Sequence, residues 1–401
     1  MAVHGGMLES RPACGLLQAQ EVQSPIYFAY ETEAIHSPLQ CQEQGCWYSS
    51  GSSASTTASC DDAEAQADDL WLQAWLLRPL HLNFDPADVV PWDVGRFTLV
   101  RKIQDARRNK GHVNQMLDTV TGEQVAVKRL PNAWVCKNHE VFVSKHPRET
   151  ERPWVDIGCA AFLNSIGYPY ACPLLGVFRG AEATSVVSEL ASEGDLFGWM
   201  ASCDEEPGPG REALARPLAR HTMDAVRLLH ELSIVHRDIS PENFLLSRWP
   251  GNGALRVQLI DFGMATTERY TRGNKHGKPS YQAPEVHAGQ VVDGFLSDAF
   301  SVGVVLYCLL VKEYPWLSTK PGACTAFSYF RTRGFRQLMM RRALRDQKPI
   351  LQHLSEPLTR LLEGLLMVDP GSRLTLGEAS AFAPGRRSAR LEPWVRDDWG
   401  S

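Results

Sequence analysis

The sequence predicts an α+β fold, with a small β-rich N-terminal part followed by a larger helical part. Two observations carry this. Short β-branched or alternating runs, separated by turn residues, gather between positions 97 and 188. From position 194 onward the apolar residues fall instead into long helical runs. Length agrees, since 401 residues at 44% hydrophobic content can hold a large core, leaving a long N-terminal extension outside a unit of roughly 250 to 300 residues.

Each element follows in chain order. Residues 1–69 have neither helical nor strand period, and residues 49–69 (SSGSSASTTASCDDAEAQADD) lack large apolar side chains. Such a segment cannot bury enough surface to offset its ordering entropy, so it reads as a disordered extension. Residues 70–94 read as a docking and linker segment, because Leu70, Trp71, Leu72, Trp75, Leu76 and Leu77 form a dense apolar cluster before Pro79. A short helix resting on the neighbouring domain is expected there. The folded domain is expected over 95–382. Residues 97–103 and 113–117 read as strands, and Thr121-Gly122-Glu123 turns the chain into a third at 124–130. Pro153 suits the first position of a helix over 154–166, where Val155, Cys159, Phe162 and Ile166 share a face. Residues 174–178 and 185–188 read as two further strands.

The helical part opens at 194–200. Residues 203–210 (CDEEPGPG) read as loop, and 216–232 as a long amphipathic helix with Pro217 in its first turn. Leu218, Met223, Val226, Leu229 and Leu232 would face inward. Residues 249–253 (WPGNG) form a turn between two short strands, the second at 257–260. Residues 383–401, with Arg386-Arg387, are expected to trail off as a C-terminal tail.

Composition excludes several classes. A net charge of −5 spread along the chain argues against a nucleic-acid or anionic-membrane partner. Ten cysteines show no CxxC pair, and Cys41 and Cys46 lack a His/Cys pair at metal-binding distance. A reducing, intracellular (cytoplasmic) compartment fits best. The first 17 residues have neither a charged start nor an apolar core, and no apolar run approaches a membrane span, so the chain reads as soluble.

The chemistry concentrates in His236-Arg237-Asp238-Ile239-Ser240-Pro241-Glu242-Asn243, followed 18 residues after Asn243 by Asp261-Phe262-Gly263. Phosphoryl transfer from ATP needs a carboxylate facing the incoming hydroxyl and oxygen ligands for Mg²⁺. With Ala283-Pro284-Glu285 another 20 residues on, the set resembles the eukaryotic protein-kinase family. The resemblance covers residues 95–382 and implies a bilobal kinase fold with ATP and Mg²⁺ between the lobes.

That resemblance implies roles. Asp238 would orient a substrate hydroxyl and accept its proton, Asn243 and Asp261 would hold Mg²⁺, and His236 would brace the loop. Lys128, in Val125-Ala126-Val127-Lys128, would hold the α- and β-phosphates, with Ala126 and Val113 against the nucleotide. The phosphate-covering loop falls on 106–113 (ARRNKGHV), where the family has three glycines and this chain only Gly111. Arg107 and Arg108 either replace amide contacts with charge or are solvated. Counting to the helix carboxylate that should pair with Lys128 lands on Cys159, which cannot do so; Asp156, one turn earlier, is the first candidate and Glu151 the second.

Ser188-Glu189-Leu190-Ala191 resembles the hinge. The main chain of Glu189 and Ala191 would meet adenine, Ser188 would leave space behind it, and Asp195 would either reach the ribose or cap a helix. Residues 298–310 (DAFSVGVVLYCLL) resemble the buried central helix, and Arg373 would pair with Glu285. Arg237 would face the activation segment, 264–282, where an upstream activating kinase could phosphorylate Thr266, Thr267 or Thr271. Pro241-Glu242-Asn243 and Ser280-Tyr281-Gln282-Ala283 resemble serine/threonine kinases acting on protein substrates.

One departure is double. Where such kinases carry a catalytic-loop lysine this chain has Ser240, and where the activation segment carries a threonine it has Lys278. An exchange is expected, with the Lys278 ammonium beside Asp238 and the γ-phosphate and Ser240 supplying the hydroxyl. Two other readings stay open. One is a pseudokinase acting as scaffold or allosteric partner; the other is a small-molecule phosphotransferase, which should lack Ala283-Pro284-Glu285.

Overall fold

A six-stranded sheet organises the N-terminal part of the computed structural model, which describes residues 78–106, 109–249, 253–272, 276–381 and 385–396. The expected extension 1–69, the apolar cluster 70–77 and the loop arginines Arg107 and Arg108 lie outside the described residues. The strands are β1 (Val90–Pro91), β2 (Phe97–Ala106), β3 (Gly111–Asp118), β4 (Gln124–Pro131), β5 (Leu174–Arg179) and β6 (Ala183–Glu189), in the order β1-β5-β6-β4-β3-β2. All neighbours are antiparallel except β1 and β5, which run parallel with Val90 opposite Phe178. Two residues carry no readable period, so β1 was invisible to strand patterning.

Between β4 and β5 stand α1 (Asn132–Val135), α2 (His139–Lys145) and α3 (Pro153–Ser165). Pro153 occupies the first turn of α3, as its fixed φ and missing N–H favour. Below the sheet come α4 (Leu196–Ser202), α5 (Pro209–Glu231), the β7 (Phe244–Arg248) and β8 (Leu255–Leu259) hairpin, and the pair β9 (Tyr270–Arg272) and β10 (Val291–Asp293). They are followed by α6 (Gly294–Val311), α7 (Thr325–Arg333), α8 (Phe335–Arg341) and α9 (Glu356–Leu365). This is a bilobal α+β protein, with a β-rich N-lobe and a helical C-lobe.

Three local expectations are corrected. First, α5 starts at Pro209, so Pro217 sits inside it rather than in its first turn. An interior proline removes one helical hydrogen bond, and tertiary contacts hold the extra turns in place. Arg211, fully buried, donates to Leu309 O (2.7 Å) and Glu205 O (2.7 Å), while Glu212 accepts from Ser355 N (2.8 Å) and Trp394 Nε1 (2.9 Å). Secondly, residues 385–396 do not trail away. Ala389 and Trp394 are fully buried, and Arg386 donates to Gly371 O (2.6 Å) and Pro370 O (2.9 Å). Thirdly, α6 is long and apolar enough to cross a membrane, but 94% of its span is buried inside the protein as the C-lobe's central helix.

Candidate active site

Lys128 is placed by strand register. It lies on β4 opposite Val113 on β3, and Ala126 two residues away points to the same face, so all three side chains share the cleft side of the sheet. Ile103, Val113 and Ala126 pack in one cluster with Leu190, Ala191 and Leu245, forming two apolar walls of a slot. The cleft between the lobes has a volume of about 550 Å³. That is in the range of small-molecule sites.

Its polar end is built from three elements. Lys128 Nζ lies 2.9 Å from Asp156 Oδ2 on α3 and 3.3 Å from Asp261 Oδ1. Asp156 Oδ1 accepts from Phe262 N at 2.8 Å, so one carboxylate ties α3 to both the sheet and the 261–263 stretch. Asp156 therefore stands where the lysine's partner was expected, while Glu151 lines the same cleft and accepts from Asn109 Nδ2 at 3.1 Å. Burial opposes the Lys128 charge, but Asp156 and Asp261 outweigh it and hold its pKa above the ordinary value. Asp261 is held below the usual carboxylate range by Lys128 despite its burial, and burial pushes Glu151 up.

The catalytic loop hangs from α6. Asp298 accepts from His236 N (2.8 Å) and Arg237 N (3.0 Å), fixing the chain just before Asp238. His236 Nδ1 accepts from Asp238 N (3.2 Å), so its Nε2 donates to Ile260 O (3.1 Å), joining the loop to the strand that delivers Asp261. Asn243 Nδ2 donates to Asp238 O (2.8 Å), which orients the amide within the cleft. Arg237 and Asp261 both adopt positive φ, 67° and 66°, a strained conformation of the kind that clusters at functional sites. Burial, then the neighbouring Asp261, raise the Asp238 pKa, and its buried Oδ1 has no hydrogen-bond partner.

Five further residues expected at the site are placed as follows. Lys278 makes no ion pair with Asp238; its ammonium donates to Ser240 Oγ (3.0 Å) and pairs with Glu242 Oε1 (2.9 Å). Arg237 reaches the activation segment, where it donates to Met264 O (2.5 Å) and His276 Nε2 (3.2 Å). Asp195 caps α4 by accepting from Gly198 N (2.7 Å) while lining the cleft, and burial raises its pKa to about 7. Glu189 ends β6 at the cleft's rear linker, its carboxyl pushed by burial to about 7. Gly111 is required by the sheet itself, since a Cβ there would meet Arg129 O at 2.5 Å.

Residues not singled out from sequence are Glu242, Asn109 and Asp298. Asp298 had a readable signal, a lone carboxylate heading an otherwise apolar helical run. Glu242 and Asn109 had none, because their partners are distant in sequence.

The oxygen donors fit Mg²⁺, which takes one or two protein ligands and completes its shell with water and phosphate. Asn243 and Asp261 offer such a set, and among the described residues no His/Cys/Asp/Glu cluster suits a dedicated metal cage.

A nucleotide-sized slot, a half-buried lysine–carboxylate pair and a loop whose Asp238 keeps one buried carboxylate oxygen without a partner make up the inter-lobe cleft of a bilobal kinase-type fold. Residues 109–382 match the protein kinase domain family, and the chain belongs to that family. It is 29% identical to serine/threonine-protein kinase DCLK2 of Mus musculus over 286 residues, 71% of this chain and 33% of that protein. It is 30% identical to the probable serine/threonine-protein kinase KCC4 of Saccharomyces cerevisiae, over 59% of this chain and 21% of that protein. CBL-interacting protein kinase 4 of Oryza sativa subsp. japonica is 30% identical over 56% of this chain and 46% of its own length. The chain thus spans less than half the length of each of these relatives.

Proposed function

We propose that the protein transfers the γ-phosphate of ATP to serine or threonine hydroxyls of protein substrates. The observation that carries this is the buried, unpartnered Oδ1 of Asp238, in one cleft with an assembled Lys128–Asp156–Asp261 contact. Lys128 would hold the α- and β-phosphates, with the main chain of Glu189 and Ala191 toward adenine and Asp195 toward the ribose. Asp238 would accept a hydrogen bond from the incoming hydroxyl and take its proton as the new P–O bond forms and the bond from the γ-phosphorus to the bridging oxygen breaks, releasing ADP; its raised pKa suits a base. Lys278 would supply positive charge near the transferring group, delivered from the activation segment and held there by Ser240 and Glu242. Mg²⁺, held by Asn243 and Asp261, would neutralise phosphate charge.

Phosphate on Thr266, Thr267 or Thr271, added by an upstream kinase, would approach Arg237 where His276 now contacts it. A reducing intracellular location belongs to the same reading, on the cysteine pattern alone.

The pseudokinase reading draws on one observation: the turn over the phosphate region has Ala106 and Arg108 where the family has glycine, and the neighbouring Asn109 is bonded to Glu151. A radiolabelled-ATP assay on a generic protein mixture separates the two. Wild type should label serine and threonine and Asp238→Asn should not; equal, background labelling by both would leave the scaffold role.

A further inference from the structure

Gly158 sits in the middle of α3, where helix propensity alone would favour alanine. A Cβ at that position would lie 2.2 Å from Leu80 O and 2.9 Å from His81 Cα. These are backbone atoms, which cannot swing aside as a side-chain tip can. The chain before the sheet therefore crosses directly over α3 at its one glycine.

The crossing is anchored on both sides. Leu80 is buried in one cluster with Val155 and Cys159 of α3. Asn83 Nδ2 donates to Leu80 O (3.1 Å), the carbonyl that faces Gly158. Phe84 and Val89 pack with Trp154 and Ile157 of α3. Beyond them β1 joins β5, the main-chain N–H of Trp92 donates to Arg179 O (2.9 Å), and its ring stacks on Phe97 with centroids 4.9 Å apart. Residues 79–92 thus run from the back of α3 to the edge of the sheet.

Position matters here. Asp156 and Gly158 are two residues apart, about 200° around the helix, so they occupy nearly opposite faces. Asp156 faces Lys128; Gly158 faces the crossing chain. Pressure on one face bears on the contact made by the other.

We propose that residues 79–92 are a strap that positions α3, with Gly158 as the notch that admits it and Leu80 as its anchor, so that the strap sets the Lys128–Asp156 contact. Gly158 and Leu80 are positioning residues, acting through Asp156. The catalytic consequence rests on the phosphotransferase reading above; the mechanical one does not.

The test uses the full chain and two readouts. In Gly158→Ala the added methyl displaces strap from helix. Turnover should fall by roughly 10- to 100-fold in kcat, the scale of a small misplacement near the reacting groups. Adding Asp156→Glu, whose carboxylate reaches one methylene further, should recover part of that loss, whereas Asp156→Glu alone should only lower activity. A merely destabilised helix would show no such rescue.

The second readout is iodoacetamide labelling of Cys159, followed by peptide mass spectrometry. Cys159 is fully buried and follows Gly158, against which the Leu80 carbonyl lies, so lifting the strap should speed its labelling roughly tenfold, while Asn164→Ala on the exposed side of α3 should not. Unchanged turnover with Cys159 still protected overturns the strap, and so does a loss of turnover that Asp156→Glu leaves unrescued. If wild type shows no turnover, the kinase reading fails and Cys159 labelling alone decides the strap. If Gly158→Ala does not melt cooperatively, Leu80→Ala is read in its place by the same criteria.

Discussion

The Lys278 ammonium donates to the Ser240 hydroxyl across 3.0 Å, joining an activation-segment residue to a catalytic-loop residue 38 positions away. Glu242 holds the same ammonium at 2.9 Å, and Lys278 and Glu242 line the cleft that contains Asp238. This contact fits the proposed exchange of cation and hydroxyl between the two segments. The transition state needs positive charge near the transferring oxygens, and either segment can deliver it.

Lys278→Thr should therefore lower kcat by roughly 10²- to 10³-fold, the scale of losing one electrostatic stabiliser. Ser240→Lys combined with Lys278→Thr should restore part of it, with a coupling of roughly 0.5 to 3 kcal/mol. Steady-state kinetics of the four proteins measure this, and strictly additive single effects would rule out the exchange.

For the metal, ATP should raise the melting temperature weakly without Mg²⁺ and clearly with it, since binding to the native state stabilises by mass action. Asp261→Ala should abolish the Mg²⁺-dependent increment. Thermal-shift curves with and without Mg²⁺ provide the comparison, and a wild-type response from the variant removes Asp261 from the metal site.

Arg373 is fully buried and pairs with Glu285 through two contacts, Nη1 to Oε1 at 2.6 Å and Nη2 to Oε2 at 2.9 Å. It also donates to Leu296 O (2.7 Å) and Met367 O (2.9 Å), tying the chain after α9 to α6 and to the stretch just past the activation segment. Arg373→Met should cost about 3 to 5 kcal/mol in urea unfolding, because it strands a carboxylate. Adding Glu285→Gln should reduce that cost.

His230 lies fully buried between Glu378 (Nδ1 to Oε1, 2.5 Å) and Asp298 (Nε2 to Oδ2, 3.2 Å). Burial lowers its pKa, but hydrogen bonds to Asp298 and Glu378 overcome this and raise it to about 9. A folded-state pKa above the unfolded one stabilises fully below about pH 6.5 and is lost as pH rises through about 9. Wild-type melting temperature should fall across that window more steeply than that of His230→Gln. Parallel curves would show that His230 does not carry its proton in the fold.

Much of the site could be read in one dimension because its parts are local. A loop that must bring a base, an amide ligand and its own brace together does so within eight consecutive residues, 236–243. Strand period likewise revealed β2 to β6, because alternate side chains on a pleated strand face one wall. The family resemblance then oriented Lys128 and Asp261 toward that loop.

What the sequence determined was therefore the element order, the α+β class and the residue types facing the cleft, all consequences of backbone period and short spacing. Counting along the helix put Asp156 ahead of Glu151 as the partner of Lys128, and packing, which fixed the rotation of α3, decided between them. Tertiary structure alone gave Arg237 to His276 and Lys278 to Glu242, and extended α5 back to Pro209. The two-residue β1 and the glycine notch under Leu80 belong to the same group. The physical reason is shared: each is a contact between residues far apart in the chain, whose geometry depends on how helices and sheet pack and leaves no periodic trace in either segment.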